Sequence, residues 1–170
     1  MKLLTGFSLL IVAALALYYV YPERHLPPHC HIDRLVVYKS KHIMQAYSKQ
    51  QLIKTYAIAL GGNPVGPKEY EGDEKTPEGT YTINDRNPHS VCYKNLGISY
   101  PNATNIHRAH QLGKSPGGAI KIHGLSPKNA FLGKCHRYFN WTNGCIGVTN
   151  QEIDELYNAV AIGSPIVIKP

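Results

Sequence analysis

At 170 residues the chain has room for one ordinary domain and little for a second. Hydrophobic residues make up 43% and charged residues 17%, with 15 Gly and 12 Pro; this composition can bury a core, excludes wholesale disorder and argues against an all-helical bundle. Eighteen Lys and Arg against eleven Asp and Glu leave a formal +7, which admits nucleic acid, an anionic membrane or an acidic substrate until the charge is located.

After Met1 and Lys2, residues 3–21 carry no charge, and Glu23 and Arg24 end the run. The stretch approaches the roughly 20 apolar residues that span a bilayer, and Tyr18, Tyr19 and Tyr21 suit its interface. The reading is an apolar helix over 1–21 that exports the chain to the cell envelope or periplasm and anchors it in the inner membrane. The competing reading is a signal peptide cleaved after Ala16, in Ala14-Leu15-Ala16; a buried core helix is the third. Residues 22–31 form a linker whose three prolines stop any helix. His25, His29, Cys30 and His31 there admit adventitious Cu or Zn binding, set against a plain solvated linker. No metal or cofactor is expected.

The folded domain spans 32–170. Only Lys2, Arg24 and Glu23 precede it, so it keeps nearly all of the positive excess. No recognition helix, zinc finger or aromatic platform accompanies that charge, which argues against nucleic acid. Residues 35–38, 43–47 and 52–60 are rich in β-branched and aromatic side chains and separated by polar turns, which predicts a three-stranded meander. Glycines and prolines at 61–67 break the pattern, and an acidic loop ends in Thr76-Pro77-Glu78-Gly79, followed by strand alternation at 80–83. Residues 86–117 show no sustained periodicity and read as a long functional excursion. Residues 119–123 form a strand closed by Gly124. Residues 145–148 lead into a helix that starts with a capping box, Thr149 with Glu152, buries Ile153, Leu156, Tyr157 and Val160, and ends at Gly163; residues 165–169 close the domain as a strand.

Cys30, Cys92, Cys135 and Cys145 contain no C-x-x-C pair, which disfavours a zinc finger or thioredoxin-like site. Cys145 differs from the others in following a glycine in the tight turn Thr142-Asn143-Gly144-Cys145 ahead of a helix. A nucleophilic thiol needs access, a base and backbone N–H groups for an oxyanion, and such a turn can offer the first and last. His123, at a strand end 22 residues upstream, is the candidate general base and acid.

The pairing of Ile122-His123-Gly124 with Thr142-Asn143-Gly144-Cys145 resembles the signature of the L,D-transpeptidase (YkuD-type) catalytic domain. Thr76-Pro77-Glu78-Gly79-Thr80-Tyr81-Thr82-Ile83 resembles that family's T-P-x-G-x-[FY]-x-[IV] segment, and two stretches, from Leu96 to Asn102 and from Ser115 to Gly118, are similar to one of its subgroups. Gly147 stands where many members carry Arg, which leaves the acyl acceptor open, and Asn143 stands where several carry His. The resemblance implies a mainly β, β-sandwich-like domain over about 33–169 with a helix after the Cys turn. It implies a cysteine acyltransferase acting on peptidoglycan stem peptides: Cys145 attacks the L,D bond of a tetrapeptide, His123 moves the proton, and the Gly124 carbonyl orients its second nitrogen. An amine acceptor gives a cross-link, and water makes the protein a carboxypeptidase or amidase. A non-catalytic wall-binding domain and a metal-binding envelope module are the remaining alternatives.

Backbone N–H groups of Asn143, Gly144 and Cys145 are candidate oxyanion donors, with Gly124 part of the same turn constellation. Thr142 either braces the turn or binds substrate; Trp141 and Tyr138 belong to the core or to a cleft wall. Cys92 and Cys135 form a disulfide or remain free thiols. Residues 86–151 contain no Asp or Glu but eight Lys and Arg and five His. That concentration is expected to favour the Cys145 thiolate and to attract carboxylate-rich stems.

Overall fold

The computed structural model describes residues 2–170, with side chains from residue 9 onward. Helix α1 (Lys2–Val20) leads the chain. Among the described residues no helix is long and apolar enough to cross a membrane. The fold therefore lends the anchor at 3–21 no support, and the side chains of 3–8 lie outside the description. The far end of α1 packs on the domain: the Tyr19 hydroxyl donates to the Phe131 carbonyl at 2.6 Å, and just beyond the helix Glu23 pairs with Arg137 at 2.6 and 2.9 Å. These bonds hold the Glu23 carboxyl down at about 2 despite partial burial.

Eight strands form one mixed sheet in the order β3-β2-β1-β8-β4-β5-β6-β7. They are β1 (Arg34–Tyr38), β2 (Ile43–Ser48), β3 (Gln51–Ala57), β4 (Gly79–Ser90), β5 (Tyr93–Ile98), β6 (Lys121–His123), β7 (Ile146–Gly147) and β8 (Pro165–Lys169). The meander of β1 to β3 is antiparallel as the alternation predicts. Strand β4 belongs to two half-sheets: residues Gly79 to Thr82 pair with β8, and from Ile83 onward it pairs with β5, with a register shift between Ile83 and Asp85. One mixed sheet thus stands where the resemblance implied a β-sandwich-like domain. Two isolated bridges, Ala59 to Gly147 and Gly61 to Thr142, bring β7 back to the chain beyond β3 and nearly close the circuit. Leu35, Met44, Tyr56, Ile83, Leu96, Ile122, Ile146 and Ile166 fill the interior.

Residues 86–117 are not an irregular excursion. Strand β4 continues to Ser90, β5 returns beside it, and α2 (Ala103–Gln111) follows. The outer part of β4 is mostly exposed, so the ladder to β5 rather than an apolar face holds it. Asn102 caps α2, with Asn105 returning the bond to the Asn102 N–H; asparagine in place of Glu or Gln hides the capping pattern in the sequence. A 3₁₀ segment (Ala130–Tyr138), interrupted at Gly133 where the backbone leaves helical geometry, precedes the Cys turn. Helix α3 (Asn150–Ala159) starts on the predicted capping box, with Glu152 accepting from the Thr149 N–H at 2.9 Å. It stops before Gly163, because Val160 is extended and bridges to Ile32.

Candidate active site

Two backbone constraints build the turn that carries Cys145. Gly144 lies at φ +120°, and a Cβ there would stand 2.6 Å from the Lys75 carbonyl oxygen, so only glycine fits. Thr142 is buried; its hydroxyl donates to the Cys145 carbonyl at 2.7 Å and accepts from the Gly144 N–H at 3.2 Å. With its O–H donated and one lone pair engaged inside the turn, Thr142 braces it. The Gly144 N–H is engaged as well, and the Gly124 N–H donates to the Lys94 carbonyl at 3.2 Å. Both N–H groups are thus hydrogen-bonded within the fold. The N–H groups of Asn143 and Cys145 have no acceptor among the described residues. The Thr76-Pro77 segment forms the wall behind: buried Thr76 accepts from the Gly61 N–H at 3.0 Å, while the neighbouring Lys75 carbonyl backs Gly144.

Strands β6 and β7 run parallel, with Ile122 opposite Ile146 and His123 opposite Gly147. Positions two apart on an extended chain share a face, so Cys145, two residues before Gly147, is presented on the face that carries His123. His123 Nδ1 lies 2.7 Å from the Gly124 carbonyl oxygen. A carbonyl only accepts, so Nδ1 carries the hydrogen and Nε2 keeps its lone pair. Burial holds the His123 pKa below its ordinary 6.5, and the charge of Lys121 acts in the same direction, against the bond to Gly124. Burial also pushes the Cys145 thiol up; the Lys121 N–H and the charges of Lys121 and Lys68 offset this only in part. The thiol sits 3.6 Å from the Ala119 carbonyl. The resting pair is a neutral thiol and a neutral imidazole, not the thiolate expected from the basic composition.

That composition is also redistributed by folding. Arg108 pairs with Glu69, Lys121 with Asp85, Lys94 with Asp154, and Arg137 with Glu23 and Glu152, all carboxylates from outside 86–151. Lys114 lies on the Tyr70 ring and Arg86 on the Tyr157 ring. Five of the eight Lys and Arg of the stretch, Lys94, Arg108, Lys121, Lys134 and Arg137, thus meet carboxylates brought from elsewhere in the fold, while Lys114 and Arg86 keep their charge against a ring.

Trp141 packs edge-on against His123, with ring centres 5.5 Å apart. Tyr138 is 63% exposed and lies against Tyr18 at the end of α1, so it is neither core nor part of the turn. A cavity of about 370 Å³ lies beside Asn143, edged by Lys68, Glu71 and Glu74. A larger one, about 660 Å³, lies between α1 and β3 and contains neither Cys145 nor His123.

The YkuD family, described as the L,D-transpeptidase catalytic domain, matches residues 32–168. The chain belongs to this family. YafK of Escherichia coli (strain K12) is 33% identical over 141 residues, covering 77% of this chain and 50% of that protein. The chain thus spans about half the length of the curated relatives it matches. The helical cell shape determining protein Pgp2 from Campylobacter jejuni shares the fold at a TM-score of 0.60 and 23% identity, over 82% of this chain and 48% of that one. An L,D-transpeptidase from Mycobacterium smegmatis does so at 0.53 and 15%, over 81% and 58%.

Within the L,D-transpeptidase domain, several parts of the site escape sequence reasoning. Asp73 organises the acidic loop: it accepts from the N–H groups of Glu69, Tyr70 and Lys75 and from the buried Lys68 ammonium at 2.7 Å. Burial raises its pKa, but these bonds more than compensate and leave its carboxyl below the usual range. Only its place among loop residues hints at this role. His136, 1% exposed behind Trp141, has no sequence signal at all. All four cysteines are free thiols, so Cys92 and Cys135 are not joined. Among the described residues no cluster of His, Cys, Asp and Glu has the geometry of a metal site.

Proposed function

We propose that the chain is a cysteine acyltransferase of the cell envelope that opens the L,D peptide bond of peptidoglycan stem tetrapeptides. The observation that carries this reading is a neutral imidazole, fixed by the Gly124 carbonyl, on the face of the sheet that presents Cys145. As the sulfur attacks the carbonyl carbon, its proton passes to His123 Nε2, so charge develops only along the reaction coordinate. The N–H groups of Asn143 and Cys145 face no competing acceptor and are the oxyanion donors. Collapse breaks the C–N bond; the proton on His123 goes to the leaving D-alanine amine, and the acyl group remains as a thioester. His123 then takes a proton from the incoming acceptor as that attacks the thioester; the C–S bond breaks, and the proton returns from His123 to the Cys145 sulfur. An amine gives a transpeptidation product, and water gives a trimmed stem.

Location outside the cytoplasm rests on the uncharged run at 3–21, whether retained as an inner-membrane anchor or removed after Ala16. The domain boundaries 1–21, 22–31 and 32–170 belong to the same proposal, as does a subgroup marked by Gly147 in place of Arg. Tetrapeptide muropeptides incubated with the protein and resolved by mass spectrometry test the reading. Cross-linked or amine-substituted tripeptides support the transferase, and free tripeptide with D-alanine supports the hydrolytic form. Unchanged substrate, with Cys145 still reactive to a thiol reagent, rules out both.

A further inference from the structure

The side chains that surround His123 contain a feature that stability alone does not explain. Trp141 is the only tryptophan of the chain. One edge of its environment is His123, at 5.5 Å and 73°, and another is His136, at 6.3 Å and 85°. Gly147 lies beneath: a Cβ at that position would meet Trp141 Cζ2 at 3.0 Å, so the indole occupies space that any larger residue would claim. Gly147 is itself fixed, since its N–H and C=O exchange hydrogen bonds with Ala59 at 2.9 Å. Behind the indole, both ring nitrogens of His136 and the Trp141 Nε1 are buried with no hydrogen-bond partner among the described residues. Each is an uncompensated cost that apolar side chains would avoid. Such costs persist where an arrangement serves a site.

We propose that Trp141 is a positioning residue for His123, seated on Gly147 and backed by His136. The single hydrogen bond from Nδ1 to the Gly124 carbonyl fixes one nitrogen but leaves the ring free to tilt about it. The indole removes that freedom and excludes water from the imidazole, so Nε2 stays aimed across the sheet. Gly147 thereby has a constructive role: it admits the tryptophan. The proposal rests on the acyl-transfer reading only in taking His123 as the base. The groups that bear on His123 are Lys121 on its own strand, the Gly124 carbonyl that holds its Nδ1, and His136 behind the indole.

Because Trp141 is the sole tryptophan, its emission reports the cluster directly, imidazolium being a contact quencher of indole. The full chain should show a quenching step below pH 6.5 that His123→Gln removes. A second step near pH 4 should disappear in His136→Phe. Trp141→Leu should move the acid limb of kcat/KM up toward the ordinary histidine value and lower kcat about tenfold or more with KM changed less than about twofold. Trp141→Phe should restore most of the rate, and Gly147→Arg, by displacing the indole, should reproduce the leucine variant. An acid limb unmoved in Trp141→Leu, or a rise in KM alone, would make Trp141 a filler or a substrate wall and overturn the proposal. The emission titration needs no substrate, so its failure is distinct from a failure of the acyl-transfer reading.

Discussion

Gly144→Ala is expected to eliminate measurable turnover while leaving most of the sheet folded. Alanine at φ +120° is strained before any contact is considered, and its Cβ would lie 2.6 Å from the Lys75 carbonyl and 3.2 Å from Ile120 Cδ1. Neither neighbour is the loose end of a flexible chain. The Lys75 carbonyl precedes buried Thr76, whose hydroxyl is bonded to Gly61, so the wall cannot retreat without opening the bridge between Gly61 and Thr142. Strain and clash together should cost about 3 kcal/mol or more, a fall in Tm of roughly 6–12 °C for a domain of this size. Gly113→Ala provides the control: Gly113 also has positive φ, +66°, but nothing within 4 Å of its Cβ, so only the ~1–2 kcal/mol of left-handed backbone is lost. Equal effects at the two positions, read by thermal unfolding and D-alanine release, would remove the Lys75 wall from the explanation.

Alkylation of Cys145 by iodoacetamide should climb about tenfold per pH unit from neutrality, with no plateau below pH 9, because under about 1% of the thiol is ionised at pH 7. Burial raises this thiol above its ordinary 9.0, and the same environment depresses His123. Both shifts favour the uncharged pair, so no preformed ion pair supplies thiolate at rest. In the proposed mechanism turnover behaves differently, since His123 takes the proton within the reaction. It should persist into mildly acid pH and decline only as pH falls through the depressed histidine value. His123→Ala should leave the alkaline rise in alkylation intact and lower turnover by roughly 10²–10⁴. A flat alkylation profile from pH 5 upward would mean that Cys145 and His123 form an ion pair.

The parts of this molecule legible in the sequence are those in which local chemistry and tertiary structure demand the same residues. The alternation of β1 to β3 serves both the strand and the core, and Thr149 with Glu152 caps α3 whatever surrounds it. The Cys turn is legible because a positive-φ glycine beside the nucleophile leaves a fixed spacing. What escaped depends on partners distant in sequence. The outer part of β4 is polar on both faces and is a strand only because β5 lies beside it. Thr142 could be assigned only once the Cys145 carbonyl and Gly144 N–H were seen to share its hydroxyl. The ion pairs of the acid-free stretch are likewise set by Asp85, Glu69, Asp154 and Glu23, all from outside it. Gly147 read as a missing arginine and proved to be the floor under Trp141.

The near-closure of the sheet has a kinetic consequence. The bridges from Ala59 to Gly147 and from Gly61 to Thr142, together with the parallel pairing of β1 and β8, join segments far apart along the chain. The β1 to β3 meander and the hairpin of β4 and β5 need only short loops. Closing the long loops carries the larger entropic cost, which places the catalytic turn among the last regions to acquire its shape. In refolding followed by pulsed hydrogen exchange, amides of β1 and β2 should become protected before those of Ile146 and Gly147. An incompletely folded chain would then hold much of its sheet before the turn around Cys145 has taken its shape.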